Sequence, residues 1–325
     1  MRSARFRLLR LGLLAFASVA PLAGIANAQP AWPTRPLRIV VPFAPGGATD
    51  IITRIVSEDL TRRLGQPIVV ENRSGANGTI AGLFVARSAP DGTTFLMGSN
   101  GTNVITTFFM KDMPYDPRRE FRSVGMVAQY AQALVVISSL PVSNLAQFIA
   151  YAKTHDLNYA STGNGARMAM ELFMQRAGVS LTRVGYRGSG PALQDLTRGE
   201  VQATFDLQSS TLPLVNAGQL RALAVSTPQR NPRTPDVPTM AEAGLPGVEM
   251  VSWQAIFAPA GTADEVISTF SSALLTTLRQ PEIEERMRDI GAAPFPATPA
   301  ETDAYIAREF STLGAVAEAA GIQPE

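Results

Sequence analysis

The sequence predicts an α/β protein of two α/β lobes joined by a two-segment hinge. Three observations lead there. Short apolar runs alternate with amphipathic stretches, a pattern that places helices over a largely parallel sheet. The pattern restarts after about residue 130. The chain, at 325 residues and 46% hydrophobic, also exceeds what one ordinary core holds.

The first residues stand apart from that pattern. Arg2, Arg5, Arg7 and Arg10 precede any acid, the run Leu11 to Ala23 is apolar, and Ala26-Asn27-Ala28 has the small-x-small form a signal peptidase cuts after. This reads as a signal peptide over 1–28, cleaved after Ala28. Its apolar run is too short for the roughly 20 residues that span a bilayer. An exported, soluble mature chain is expected. Removing 1–28 leaves 297 residues and takes four of the 28 basic residues, so 24 face 27 acids and the net charge moves from +1 to −3. No basic stripe remains to suggest a nucleic-acid partner.

In the first lobe, Leu37–Pro42, Ile68–Val70 and Phe95–Gly98 read as buried strands. Between the first two, Ile52, Val56, Leu60 and Leu64 recur every four residues, with Ile51 and Ile55 beside them, forming one apolar helix stripe that ends at Gly65. A second helix over Gly78–Ser88 closes in the turn Ala89-Pro90-Asp91-Gly92. In the second lobe the expected strands are Ala133–Ile137, Leu157–Ala160, Leu181–Val184, Val201–Phe205 and Leu220–Val225. Helices are expected over Ser143–Lys153, about 166–177, Pro191–Thr197 and near 212–216. Met250–Ala258 reads as another strand, followed by mostly helical chain. Extended segments near 124–137 and 249–258 make the two hinge crossings. Lobe 1 is therefore expected over 29–130 and 254–325, with lobe 2, 131–253, inserted into it.

Composition removes most routes to catalysis. Without cysteine there are no disulfides, thiolate metal sites or thiol nucleophiles. One histidine, His155, precludes a multi-histidine metal site within the chain. His155 sits at the polar end of a predicted helix, where a solvated side chain is expected. An exported hydrolase using Ser161 or Ser99 lacks the Gly-x-Ser-x-Gly elbow. No catalytic residue, metal or cofactor is expected.

Three loops have the form that holds an anion. Pro42-Phe43-Ala44-Pro45-Gly46-Gly47-Ala48-Thr49-Asp50 follows a strand and opens a helix. Its glycines let bare amides face a ligand at the positive end of the helix dipole; alternatively it is a connector capped by Thr49 or Asp50. Ala160-Ser161-Thr162-Gly163-Asn164-Gly165 repeats the form with two hydroxyls and an amide. Tyr186-Arg187-Gly188-Ser189-Gly190-Pro191 adds a guanidinium that either grips a carboxylate bidentately or is an ordinary surface arginine, with proline at the expected first helical position. Asp206 after its strand either orients a ligand or caps the next helix. Trp253 on the hinge reads as core. Asn72, Arg73 and Gly75–Gly78 read as a turn that could support the first loop.

The segment Trp32-Pro33-Thr34-Arg35-Pro36-Leu37-Arg38-Ile39-Val40-Val41-Pro42-Phe43-Ala44-Pro45-Gly46-Gly47 resembles the mature start of the tripartite tricarboxylate transporter substrate-binding proteins, the Bug receptors. Val70–Ala76, Ala89–Gly92, Pro114-Tyr115-Asp116-Pro117, Tyr186–Gly188, Leu220–Val225, Asp236–Thr239 and Phe257–Gly261 resemble further family segments in the same order. The resemblance implies a periplasmic-binding-protein fold, a Venus flytrap that closes on a small organic carboxylate in the periplasm and delivers it to membrane transporter subunits. A monomer is expected. A ligand-loaded sensor for a membrane signalling protein is the alternative. Matching motifs implies ligand contacts from Phe43, Gly46, Gly47, Ala48, Asp50, Ser99, Asn100 and Gly101 in one lobe, and from Ser161, Thr162, Gly163, Asn164 and Asp206 in the other. One departure follows Gly163-Asn164-Gly165, where Ala166-Arg167-Met168 replaces a longer Ser/Thr-rich stretch. Either Arg167 supplies a charge there or Met168 an apolar wall.

Overall fold

The computed structural model describes residues 32–319 and 321–324; the signal-peptide reading lies outside them. The first half alternates as expected: β1 (Leu37–Val41), α1 (Ala48–Leu64), β2 (Ile68–Asn72), a single 3-10 turn at Ala76–Gly78, α2 (Thr79–Ala86), and β3 (Thr94–Ser99). A π-helical turn, Gly101–Ile105, runs into α3 (Thr106–Phe109). The long strand β4 spans Phe121–Ile137. Then come α4 (Leu145–Ala152), β5 (Asn158–Ser161), α5 (Asn164–Ala177), β6 (Thr182–Gly185), α6 (Ser189–Arg198), β7 (Ala203–Leu207), α7 (Gln208–Asn216) and β8 (Leu220–Val225). The chain returns through β9 (Val251–Pro259), α8 (Asp264–Leu278), α9 (Pro281–Asp289), β10 (Ala292–Ala297) and α10 (Pro299–Ala319).

The strands run in the order β2-β1-β3-β9-β4-β7-β5-β6, with β10 and β8 also on β4. Pairing is mixed rather than largely parallel. β1 with β2 and β3, and β5 with β6 and β7, are parallel. β4 is antiparallel to all of its neighbours, and β3 to β9. β4 joins two sheets: Phe121–Ala131 pairs with β9, and Met126–Tyr130 also with β10, whereas Gln132–Val136 pairs with β7 and Ala133–Ile137 with β8. The extended segment expected near 124–137 is thus one continuous strand; its glycine and glutamines had broken the apolar pattern at its start.

Apolar periodicity explains the core. Ile52, Val56 and Leu60 of α1 pack with Leu37, Ile39, Phe95 and Phe270, while Leu64 is only partly buried. Burying side chains of this size contributes about 1.5–3 kcal/mol each. Gly65 ends α1 at φ +69°, a left-handed conformation that favours glycine. A second cluster gathers Phe148, Phe173, Phe205, Met168 and Trp253. Trp253 donates its indole N–H to Glu309 at 3.0 Å, which satisfies the polar edge of a fully buried ring.

Three local expectations need correction. β2 is a half-exposed edge strand, with Val69 54% exposed, rather than a buried one. β10 interrupts the expected helical end; Pro294 and Pro296 hid it, and prolines are tolerated because the strand is irregular between Pro294 and Ala297. Helix α6 begins at Ser189, so Pro191 is its third residue, not its first. His155 is exposed at the end of α4, its ring stacked on Tyr151 at 3.8 Å. Among the described residues no helix is long and apolar enough to cross a membrane.

Candidate ligand-binding site

Four helices begin at glycine with no side-chain cap, α2 after Gly78 and, of more interest, three others: α1 after Gly47, α5 after Gly163 and α6 after Gly188. The first turn of a helix leaves backbone N–H groups without intrahelical partners, and its dipole is positive there. These last three glycines line one cavity of about 60 Å³. That is small beside the roughly 300–1,000 Å³ of ordinary small-molecule pockets. Larger hollows of about 420 and 500 Å³ lie elsewhere, between α9 and the loop after β8 and beside α10, away from these helix starts.

The loop before α1 is held from behind. Asp50 is 4% exposed and accepts the Gly46 N–H at 3.0 Å, with Asn72 Nδ2 at 3.0 Å and Arg54 at 2.9 Å. Burial pushes its carboxyl pKa up, but the bonds from Arg54, Gly46 and Asn72 outweigh burial and hold it below the ordinary carboxylate range. Asn72 also donates to the Phe43 carbonyl at 3.1 Å, so its supporting role is real. Gly46 has φ +81°, which lets its N–H turn back to Asp50.

The loop from β3 folds on itself. The Ser99 N–H donates to Thr102 Oγ1 at 2.9 Å, and Asn100 Oδ1 accepts from Gly101 N at 3.0 Å. On the floor, Gln132 of β4 donates to Ser252 at 2.8 Å, and Gln254 of β9 donates to Thr49 at 2.7 Å. Tyr130 of β4 is buried, and burial pushes its phenol well above the ordinary range, with the nearby Asp206 adding to the shift.

Direct contacts join the elements around the cavity. Ala44 N donates to the Arg187 carbonyl at 3.2 Å. Asn164 Nδ2 donates to Thr106 Oγ1 at 3.0 Å. Gly188, at φ +143°, sits so close to the first loop that an added Cβ would lie 3.2 Å from Ala44 N.

Of the expected contacts, Phe43, Gly47, Ala48, Ser99, Asn100, Gly101, Thr162, Gly163 and Asp206 line the cavity. Gly46, Asp50, Ser161, Asn164 and Arg187 do not, and they act behind it. Ser161 Oγ reaches the Gly163 carbonyl at 3.4 Å, and the Arg187 side chain is exposed while its carbonyl makes the bond to Ala44. Neither option for the short loop supplies wall: Met168 is in the core, and Arg167 lies over the Phe109 ring at 4.3 Å and 3.7 Å from Glu171. Ala166 and Gly165 form that wall instead. Tyr130, Gln132 and Ser252 were missed. Each lies inside a strand, and only the isolated polar residue in an apolar run could have marked Gln132 and Ser252.

Asp206 has the most unusual surroundings. It is 2% exposed; Oδ1 accepts from Ser189 Oγ at 2.8 Å and from Leu207 N at 2.7 Å, while Oδ2 is buried with no protein partner. Burial pushes its pKa up to about 6, against those two bonds. No lysine, arginine or histidine lines the cavity.

A mixed α/β sheet whose helix starts converge on a small pocket without a basic side chain is the architecture of a solute-binding receptor. Comparison with known proteins agrees. The chain belongs to the tripartite tricarboxylate transporter receptor family, whose pattern matches residues 52–322. Protein BugT of Bordetella pertussis is 35% identical over 306 residues, covering 92% of this chain and 94% of BugT. The structure of R. palustris Rpa4515 with adipate superposes with TM-score 0.88 at 37% identity, covering 90% of this chain and all of that one. MatC from Rhodopseudomonas palustris with bound malate gives TM-score 0.84 at 34% identity, over 88% of this chain and 99% of that one.

Proposed function

We propose that this protein is a periplasmic receptor that captures a small organic carboxylate between two lobes and presents it to a membrane transporter. The observation that carries the reading is the meeting of three uncapped helix starts, at Gly47, Gly163 and Gly188, in one cavity. Unpaired amides at positive helix ends suit an anion and need no countercharge from a side chain. The adipate and malate held by the two relatives point to dicarboxylates as the class.

In this reading the lobes divide at Ala131 and Trp253, and the crossings in β4 and at the start of β9 form the hinge. The ligand stabilises the closed form only by what it gains there over the open one. The cavity is small, so a longer chain needs the walls to part further. Binding without turnover is expected.

The test is a thermal-shift screen of small carboxylates on the mature protein. Dicarboxylates should raise the melting temperature, since a ligand that binds only the native state stabilises it by about 2.7 kcal/mol at 100 times Kd. No shift with any carboxylate at millimolar concentration would refute the receptor reading.

A further inference from the structure

We propose that Asp206 recognises the ligand as a neutral acid, donating a hydrogen bond from Oδ2 to a ligand carboxylate oxygen, so that the receptor takes up one proton from solvent on binding and favours carboxylates without an ammonium group. This rests on the carboxylate-receptor reading above.

The geometry makes the case. Oδ1 is saturated by Ser189 and Leu207, which leaves Oδ2 as the carboxyl oxygen without a partner in a residue that lines the cavity. An ionised Oδ2 would only accept, and the cavity offers it no cation. Placing a ligand carboxylate beside an ionised Asp206 would bring two negative charges into one small, buried space, where like charges interact strongly. A proton on Oδ2 removes both problems, turning a repulsive acceptor into a donor for the anion. Burial already pushes the acid to about 6, and a nearby carboxylate pushes it higher still.

Other titratable groups are turned elsewhere. From β4 the neighbour is Tyr130, whose buried phenol stays protonated. On α6, Asp195 bonds Tyr186 and faces Arg198. On α5, Glu171 faces Arg167 and Tyr159 of β5. Asp50 at the start of α1 is bound to Arg54. The proton on Asp206 therefore meets no competing ionised group from these elements; the Gln132 amide oxygen, buried without a partner in the same wall, is a neutral and weaker acceptor. An amino-acid ligand would reverse the requirement, because its ammonium needs the ionised form.

The test is titration calorimetry with adipate and with malate between pH 6.5 and 8.5, in two buffers of different ionisation enthalpy. Both probes are fully ionised there. The wild-type Kd should rise towards tenfold per pH unit above about pH 7, with up to one proton taken up per ligand. Asp206→Asn, whose amide donates where the acid did, should bind within about threefold of wild type at pH 6.5 with a Kd independent of pH, whereas Asp206→Ala should bind at least tenfold more weakly throughout. A wild-type Kd that is flat with pH and without proton uptake would overturn the proposal alone. So would a folded Asp206→Asn that binds more than tenfold more weakly at pH 6.5, or aspartate binding that strengthens as pH rises. If no carboxylate binds at pH 6.5, the receptor reading fails and the proposal with it.

Discussion

Gly101 and Gly165 pack closely in the cavity wall: a Cβ on Gly101 would lie 3.3 Å from the Gly165 nitrogen, tighter than an ordinary contact. One glycine follows β3 and the other opens α5. Their approach sets how tightly the two halves meet.

Gly101→Val is therefore expected to weaken ligand binding more than tenfold, because its methyl groups meet the Gly165 backbone. Gly101 has helical φ and ψ, so the fold itself should survive with a melting temperature only a few degrees lower, at roughly 2–4 °C per kcal/mol for a chain of 150–250 residues. Calorimetry and a melting curve separate the two effects.

Asp50 acts at one remove. Asp50→Asn keeps the shape but loses the charge that Arg54 pairs with, and Asp50→Ala leaves the Gly46 N–H and the Asn72 amide short of a partner. Losing buried bonds of this kind costs about 1–3 kcal/mol. The sign with pH follows from its lowered pKa: the stabilisation is present above the unfolded value and is lost as pH falls through the lower, folded one. Melting curves of wild type and Asp50→Asn should differ at pH 6 and converge as the solution is acidified below pH 4.

Asp206 has the opposite sign. Its folded pKa lies above the unfolded value, so its ionisation costs the native state stability as pH rises from about 4 to 6, and that cost persists above 6. Asp206→Asn should stabilise the protein without ligand at pH 8, by roughly 2–3 kcal/mol, and have little effect at pH 4. Urea denaturation at the two pH values checks this.

Trp253 serves as a control outside the cavity. Burial pushes the carboxyl of its partner Glu309 upward, and the indole N–H opposes that shift. Trp253→Ala should destabilise by about 3–5 kcal/mol, whereas Trp253→Phe should cost less and retain ligand affinity. Denaturation and calorimetry on the two variants report this.

Much of this was legible in the residues. The four-residue spacing of Ile52, Val56 and Leu60 placed α1, and Gly65 ended it where the structure does. The glycine-bearing loops marked the helix starts only to within two residues: helices expected from about 166 and from Pro191 begin at Asn164 and Ser189. What local pattern could not show was distance. Asp50 and Asn164 have the chemistry of ligand contacts, yet one is used to brace a loop and the other to reach Thr106, and only the folded chain brings those partners near. Tyr130 and Ser252 were invisible because strand residues declare their face only once the sheet is paired. β10 was hidden by its prolines, and the parallel expectation failed because β4 carries four neighbours that nothing local announces.

The sharing of β4 also governs how the molecule can assemble. Its early residues need β10, which lies close to the carboxyl end of the chain, while its late residues find β7 and β8 much sooner in the sequence. The portion completed by β10 must wait for distant chain, and such non-local pairing is slow. The portion between residues 132 and 225 can gather first and act as a template. Cutting the chain between the two would leave neither fragment with a complete set of partners for the shared strand.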